Sequence, residues 1–213
     1  MTTKTANGFL FPKYDQTTHK SVFKETDKIA KVVEFCGNTR TVIQAGGNVG
    51  VFPVRMANFF SQVYTFEPDF DNYRCLMLNI ENRNLNIKAV RAGLGVANST
   101  GKVIHPYKNS CGCHQVVEGE GVDVLALDSF FEKDDDVDLI YLDIEGAEFR
   151  TLLGAKELIA RCKPVIVTEN KGLMDEFPSD INGNDYFRSW VCSLGYEYKT
   201  RLMRDDVFVP VKD

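Results

Sequence analysis

Residues 42–54 read VIQAGGNVGVFPV. An apolar run ends in small residues, and apolar residues then resume at a new spacing. That is the signature of a buried strand turning tightly into a helix. Pro53 falls in the first helical turn, where a missing N–H does no harm. Glycine at 46, 47 and 50 lets a ligand approach the backbone, and the following helix offers free N–H groups.

The rest of the chain repeats this unit. Ahead of it, Ile29, Val32, Val33 and Cys36 share one helix face, and Gly37 stops the run. The spacing predicts a strand at Thr41–Ala45, then a helix burying Phe52, Met56, Phe59 and Phe60. QVYTFE is a second strand. Asp69 can cap the next helix, whose predicted buried face is Phe70, Tyr73, Met77 and Ile80. KAVRAGL is a third strand. Between residues 102 and 127, KVIHPY, HQVV and VDVLAL read as short antiparallel strands, and EKDDDVD as a solvated acidic turn. The alternation then returns. VDLIYLD is a buried strand, AEFRTLLGAKELIA a helix with Phe149, Leu152, Leu153 and Ile159 inward, and KPVIVTE another buried strand. YFRSWVCSLG is helical, and YEYKTRL with DVFVP makes a closing hairpin that adds an antiparallel edge strand. Such alternation implies an α/β chain with a mostly parallel sheet covered on both faces. The 213 residues suit a single domain, 1–213, with 1–23 as an N-terminal arm or lid and 102–127 as a β insertion.

Composition narrows the partners. A net charge of −5 with no dense Lys/Arg block argues against nucleic acid. No apolar run approaches the about 18 residues that cross a bilayer, so no membrane contact is expected. The N-terminal apolar stretch is too short for a signal peptide, which makes a cytoplasmic location the expectation. Cys36, Cys75, Cys162 and Cys192 sit among apolar neighbours as core thiols. Cys111-Gly112-Cys113-His114 has metal-ligand residue types but no second half, and reads as a Gly-containing turn between two strands.

Ligands of such sheets bind at the carboxyl ends of the strands. The first strand ends in Gln44 and the glycine turn; the second ends in Glu67, where a carboxylate can accept both hydroxyls of a ribose. This pattern signals a nucleoside cofactor without choosing it. Ala45-x-Gly47-x-x-Gly50 is one substitution from a dinucleotide fingerprint, so NAD stays open. The fourth strand ends in Asp143, with Glu145 and Glu148 placed to cap the next helix. The fifth ends in Glu169-Asn170. Asp143, Glu169 and Asn170 would form an oxygen-rich cluster suited to Mg²⁺ or to a hydroxylated substrate.

Taken together, VIQAGGNVG, VYTFEP, VDLIYLDIEGAEF and TLLGA resemble the FkbM family of S-adenosylmethionine-dependent methyltransferases over roughly residues 41–170. The resemblance implies O-methylation of a hydroxyl on a sugar, glycan or small metabolite. It implies a Rossmann-like class I methyltransferase sheet: seven strands, mostly parallel, the last antiparallel, with helices on both faces and a small antiparallel insertion before strand four. Gly46, Asn48 and Gly50 match the family's first motif and should line the methionine end of the cofactor. Glu67, followed by Pro68, matches the ribose-binding acid, and the backbone at Gly93 and Leu94 should meet the adenine. Asp143, Glu145, Gly146 and Glu148 match the Asp-x-Glu-Gly-x-Glu motif; Asn109, Gly112 and His114 match more loosely. Gln44 departs from the pattern. It stands where the family carries an acid that holds the cofactor's ammonium group, which leaves Asp143 more of that contact.

Methyl transfer from a sulfonium is an in-line displacement, so the protein must align the acceptor oxygen and remove its proton. Metal-dependent relatives of this fold suggest Mg²⁺ on Asp143, Glu169 and Asn170. The metal-free route makes His114 the general base. Two other readings stand beside the methyltransferase. An NAD-linked oxidoreductase lacks a hydride-transfer constellation such as Ser-Tyr-Lys, and a degenerate, non-catalytic pocket has Gln44 as its support. Acceptor choice is expected from the N-terminal arm, from residues 102–121 and from the segment after Asn170; Phe9, Phe11 and Tyr14 of the arm can stack on a substrate or, more commonly, staple the arm to the core.

Overall fold

The computed structural model describes residues 2–81, 83–170 and 183–211. Strands β1 (Thr3–Ala6) and β2 (Phe9–Pro12) form a hairpin, followed by α1 (Thr18–Glu25), a 3-10 turn at Thr26–Lys28 and α2 (Ile29–Val33). The alternating unit is β3 (Thr41–Ala45), α3 (Val51–Met56), β4 (Gln62–Phe66), α4 (Phe70–Glu81) and β5 (Ile87–Val90). A second sheet holds β6 (Ala92–Leu94), β7 (Ser99–Ile104), β8 (Gln115–Glu118) and β9 (Val122–Leu125). After α5 (Leu127–Phe130) come β10 (Leu139–Leu142), α6 (Glu148–Leu153), α7 (Lys156–Cys162) and β11 (Val165–Glu169). Helix α8 (Gly183–Ser193) leads into the hairpin β12 (Tyr196–Leu202) and β13 (Asp205–Pro210).

The main sheet has the order β12-β13-β11-β10-β3-β4-β5. Its central strands pair in parallel, and β13 runs antiparallel to both neighbours. Side chains alternate between its faces. Val42, Leu139, Tyr141, Val165 and Val167 pack on one side with Phe11, Ile29 and Met56. Ile43, Ile140, Leu142, Ile166 and Phe208 pack on the other with Leu152, Ile159 and Phe187. Burial on both faces is why these strands read as unbroken apolar runs.

Several sequence expectations shift. The antiparallel strand is not at the edge: β13 sits between β11 and β12. Its first four residues are buried, whereas β12 is largely exposed and suits the edge. KAVRAGL splits at Arg91 into β5 of the main sheet and β6 of the second, which therefore starts ahead of the expected insertion. The helix expected after Asp143 is two, α6 and α7, parted at Gly154, where a Cβ would meet the Gly95 carbonyl oxygen at 2.2 Å.

Helix α4 shows the largest change. Phe70 and Met77 are exposed, and the buried face is Asn72, Cys75, Leu76 and Asn79. Asn79 accepts from Leu10 N at 2.8 Å and donates to Leu10 O at 2.9 Å and to Val49 O at 2.7 Å. Its amide stitches the N-terminal hairpin and the α3 turn to α4. A buried amide is tolerated because its hydrogen bonds are made, and apolar spacing cannot reveal such a face. In the N-terminal segment, Phe9 and Phe11 belong to the core.

Candidate active site

The sheet reverses its winding order between β3 and β10, and a cavity opens there at the strand ends. Its back wall is the turn after β3. Gly46 N and Gly47 N donate to Phe66 O at 3.1 and 2.9 Å, which folds the turn over β4. Gly46 has φ +85°, and a Cβ there would lie 1.9 Å from the Asp143 carbonyl oxygen. At Gly47 a Cβ would meet Thr65 Oγ1 at 2.6 Å. The turn is side-chain-free because β4, β10 and α4 leave no room.

Asn48 takes φ +48°, a conformation that asparagine tolerates better than most residues. Its N–H donates to Glu67 Oε2 at 2.6 Å, and its Nδ2 donates to Cys111 O at 2.6 Å. Glu67 Oε1 accepts from Asp69 N at 2.8 Å. The Glu67 carboxylate thus ties the turn to the end of β4. Burial pushes its pKa up to about 8, against the two N–H groups that favour the charged form.

Two residues expected to contact a cofactor do not line the cavity. Gln44 is 1% exposed beneath the turn. Its Nε2 donates to Ala45 O at 3.1 Å and Gly46 O at 2.9 Å, and its Oε1 accepts from Thr65 Oγ1 at 2.6 Å. A carboxylate could accept from the threonine hydroxyl but could not donate to the two carbonyls, so the amide suits this seat. Gly50 also stays off the cavity; with φ +94° it begins α3. Gly46, Asn48, Glu67, Pro68, Gly93 and Leu94 do line it.

The opposite wall is the LDIEGAEF turn. Glu145 and Gly146 have φ +56° and +106°. Glu148 reaches back from α6 to accept from Ile144 N and Gly146 N, both at 3.0 Å. It is a buried clasp for the turn, and burial pushes its pKa up to about 7. Asp143, Glu145 and Glu169 line the cavity, with carboxylate oxygens within 4.8 Å of one another. The expected third member, Asn170, is replaced by Glu145. Asn170 Nδ2 instead donates to Asp206 Oδ2 at 2.9 Å, where Arg188 and Arg201 also bind.

Cys111-Gly112-Cys113-His114 lies in the loop between β7 and β8. Its sulfurs are not gathered for a metal: Cys111 Sγ donates to Asn48 Oδ1 at 3.7 Å, and Cys113 Sγ accepts from Ser110 Oγ at 3.6 Å. His114 lines the cavity with a side chain 4% exposed. Burial disfavours its charged form and holds its pKa below the ordinary imidazole range. Thr17, Thr18 and Ser21 of the N-terminal arm also line the cavity wall, as does Arg204. They come from segments without a motif.

The model of the methyltransferase FkbM domain matches residues 44–198. The chain belongs to the FkbM methyltransferase family. Solved structures place this FkbM chain among class I methyltransferases in fold. The FkbM methyltransferase of Methylobacillus flagellatus KT is 18% identical with a TM-score of 0.52; the match covers 92% of this chain and 54% of that one. The chain therefore spans about half the length of that relative. An rRNA methylase from Streptococcus thermophilus is 11% identical, with a TM-score of 0.51 and 89% and 95% of the two chains covered. A ribosomal protein L11 methylase from Lactobacillus delbrueckii subsp. bulgaricus is 10% identical, with a TM-score of 0.51 and 88% and 79% covered. No curated protein matches the sequence. For this FkbM chain the family implies S-adenosylmethionine as the methyl donor.

Proposed function

We propose that this chain is a single-domain, cytoplasmic O-methyltransferase that transfers a methyl group from S-adenosylmethionine to a hydroxyl of a sugar, glycan or small metabolite. The observation that carries the reading is one cavity bounded by the bare turn at Gly46 and Asn48, by Glu67, and by the carboxylates at the ends of β10 and β11. The residues fit the donor. Gly46 and Asn48 take the methionine end, Glu67 and Pro68 the ribose, Gly93 and Leu94 the adenine, and Asp143 the ammonium group. Gln44 and Gly50 act through the turn they shape. The bound donor supplies an electrophilic methyl group, and the chain orients the acceptor oxygen and receives its proton.

Charge argues for the acceptor class. Glu25, Asp143, Glu145 and Glu169 line the cavity, and Arg204 is the only Lys or Arg among its described lining residues. Such a wall repels phosphate and admits neutral polyols. RNA methylases among the structural neighbours share the fold alone. The degenerate-pocket reading loses its support, because Gln44 serves the turn. The NAD reading loses its ground with the family.

Calorimetric titration with S-adenosylmethionine, S-adenosylhomocysteine and NAD tests the proposal. Both adenosyl ligands should saturate and NAD should not. Glu67→Ala should weaken them about 10- to 100-fold, the value of charge-assisted hydrogen bonds. Saturable NAD binding without adenosyl binding would sink the assignment. Ribose hydroxyls donate to the ionised carboxylate, so below about pH 8 binding must first expel the Glu67 proton. Affinity should therefore rise with pH and level off above about 8, and Glu67→Gln should flatten the profile.

Two routes for the acceptor proton remain part of the proposal. Asp143, Glu145 and Glu169 can hold Mg²⁺ against the hydroxyl, or His114 can act as base. Turnover that survives both EDTA and Asp143→Ala removes the first, and unchanged turnover in His114→Ala removes the second. No helix among the described residues is long and apolar enough to cross a membrane.

A further inference from the structure

Beside the cavity, Asp69, His105 and His114 converge from three elements. Asp69 precedes α4, His105 follows β7, and His114 precedes β8. One ligand atom from each lies within 4.8 Å of the others. Asp69 Oδ2 is 2.9 Å from His105 Nε2 and 3.6 Å from His114 Nδ1. The two imidazoles stack with centroids 4.1 Å apart and planes within 10°.

His114 is the buried imidazole of the pair. Its Nε2 is buried and makes no hydrogen bond among the described residues, and its Nδ1 lies 3.3 Å from Asn72 Nδ2. With the proton on Nδ1, a donor faces the asparagine N–H₂ group and the buried Nε2 lone pair is unused. With the proton on Nε2, the Nδ1 lone pair accepts from Asn72 Nδ2 at 3.3 Å and also faces Asp69 Oδ2 at 3.6 Å. A cation between Nδ1 and Oδ2 turns this contact into two bonds and fixes the proton on Nε2, so a metal-bound His114 leaves the acceptor proton to the carboxylate cluster.

We infer that Asp69, His105 and His114 form a binding site for a divalent transition ion of the Zn²⁺ type. Two imidazoles and one carboxylate are the donor set that such ions prefer, whereas Mg²⁺ prefers oxygen. Ligand atoms around tetrahedral zinc stand about 3.3 Å apart, given bonds of about 2.0–2.1 Å. The observed 2.9 and 3.6 Å bracket that separation. The His105 side chain is 48% exposed, which gives the ion a path from solvent and water for a fourth position, and lets the ring turn out of its stack on His114, as it must for both in-plane lone pairs to face one ion. The ion would pin both ends of the 105–114 loop to the start of α4. That loop carries Cys111, Gly112 and Cys113 onto the cavity wall, so metal would stiffen one side of the pocket.

The test uses the full chain after treatment with a chelator. Calorimetry should show one equivalent of Zn²⁺ bound, and Tm should rise by about 5 °C or more when Zn²⁺ is about 100-fold above its Kd. Mg²⁺ at the same concentration should give no shift. Co²⁺ should produce visible absorption bands without a thiolate charge-transfer band. His105→Ala, at an exposed position, should keep the far-UV circular dichroism and lose at least tenfold in Zn²⁺ affinity. Glu145→Gln, in the separate carboxylate cluster, should bind Zn²⁺ as the wild type does. Absence of saturable Zn²⁺ binding, unchanged affinity in His105→Ala, or a thiolate band overturns the site.

Discussion

Replacing Gly46 by alanine lowers the unfolding free energy by about 3 kcal/mol or more and removes cofactor binding with it. Two costs combine. At φ +85° a non-glycine residue is strained by about 1–3 kcal/mol. The added methyl would also lie 1.9 Å from the backbone oxygen of Asp143. That oxygen belongs to the turn leaving β10, which pairs directly with β3. Neither side can yield without prising apart the two strands that flank the cavity. For a chain of this size, about 3 kcal/mol corresponds to a fall in Tm of about 6–12 °C. Gly8→Ala is the control. Gly8 has φ +76° with nothing within 4 Å of its would-be Cβ, so it incurs the strain alone. Thermal melts in which the two variants match would show that the contact with Asp143 is relieved elsewhere.

Lys28→Met is the second large effect, at about 3–5 kcal/mol. Lys28 Nζ sits 2.6 Å from Asp205 Oδ2, with side chains 7% and 1% exposed. The ammonium also lies over the rings of Phe52 and Tyr141 at 5.6 and 5.8 Å. The Tyr141 hydroxyl donates to the same carboxylate. Methionine fills the space but strands a buried anion. Burial already raises the Asp205 pKa, and Lys28 is the main force pulling it back down. Without Lys28 the folded state keeps a proton that the unfolded state gives up above about pH 4. The loss relative to wild type therefore grows as pH rises. Urea unfolding of both proteins at pH 5 and pH 8 should give the smaller difference at pH 5. Lys28→Met combined with Asp205→Leu should recover most of the stability, because no charge is then left buried. An equal loss at both pH values would mean that Lys28 contributes by packing alone.

The central strands were legible because burial on both faces leaves no polar residue to interrupt them, as at Leu139–Leu142. The strand ends were legible as candidate ligand positions because parallel sheets place their ligands there. The turn's glycines follow from sterics, and Glu148 fits a helix-start reading because its carboxylate holds two N–H groups of the turn. Other features were hidden for specific reasons. Asn72 and Asn79 are buried by hydrogen bonds to backbone that is distant in sequence, at Cys111 and Leu10. A periodicity argument assigns such residues to solvent. Gln44 looked like a damaged cofactor ligand because its partners, two carbonyls and Thr65, are visible only once the turn is folded. Asp69 and His105 are 36 residues apart and fit no ligand spacing. Asn170 does follow β11, yet its amide answers to Asp206 on β13.

The position of β13 bears on how the chain must be made. Of the seven strands in the main sheet it is synthesised last, yet it fills an interior seat between β11 and β12. Until it emerges from the ribosome, Val165–Glu169 presents an open row of amides and carbonyls with strongly apolar side chains. Such an edge is a template for pairing with another chain. The cavity walls from β3, β4 and β10 are all encoded earlier, so a nascent chain can build its pocket while its sheet is still adhesive. Loss of solubility is then the expected fate of nonsense and frameshift products that stop short of β13.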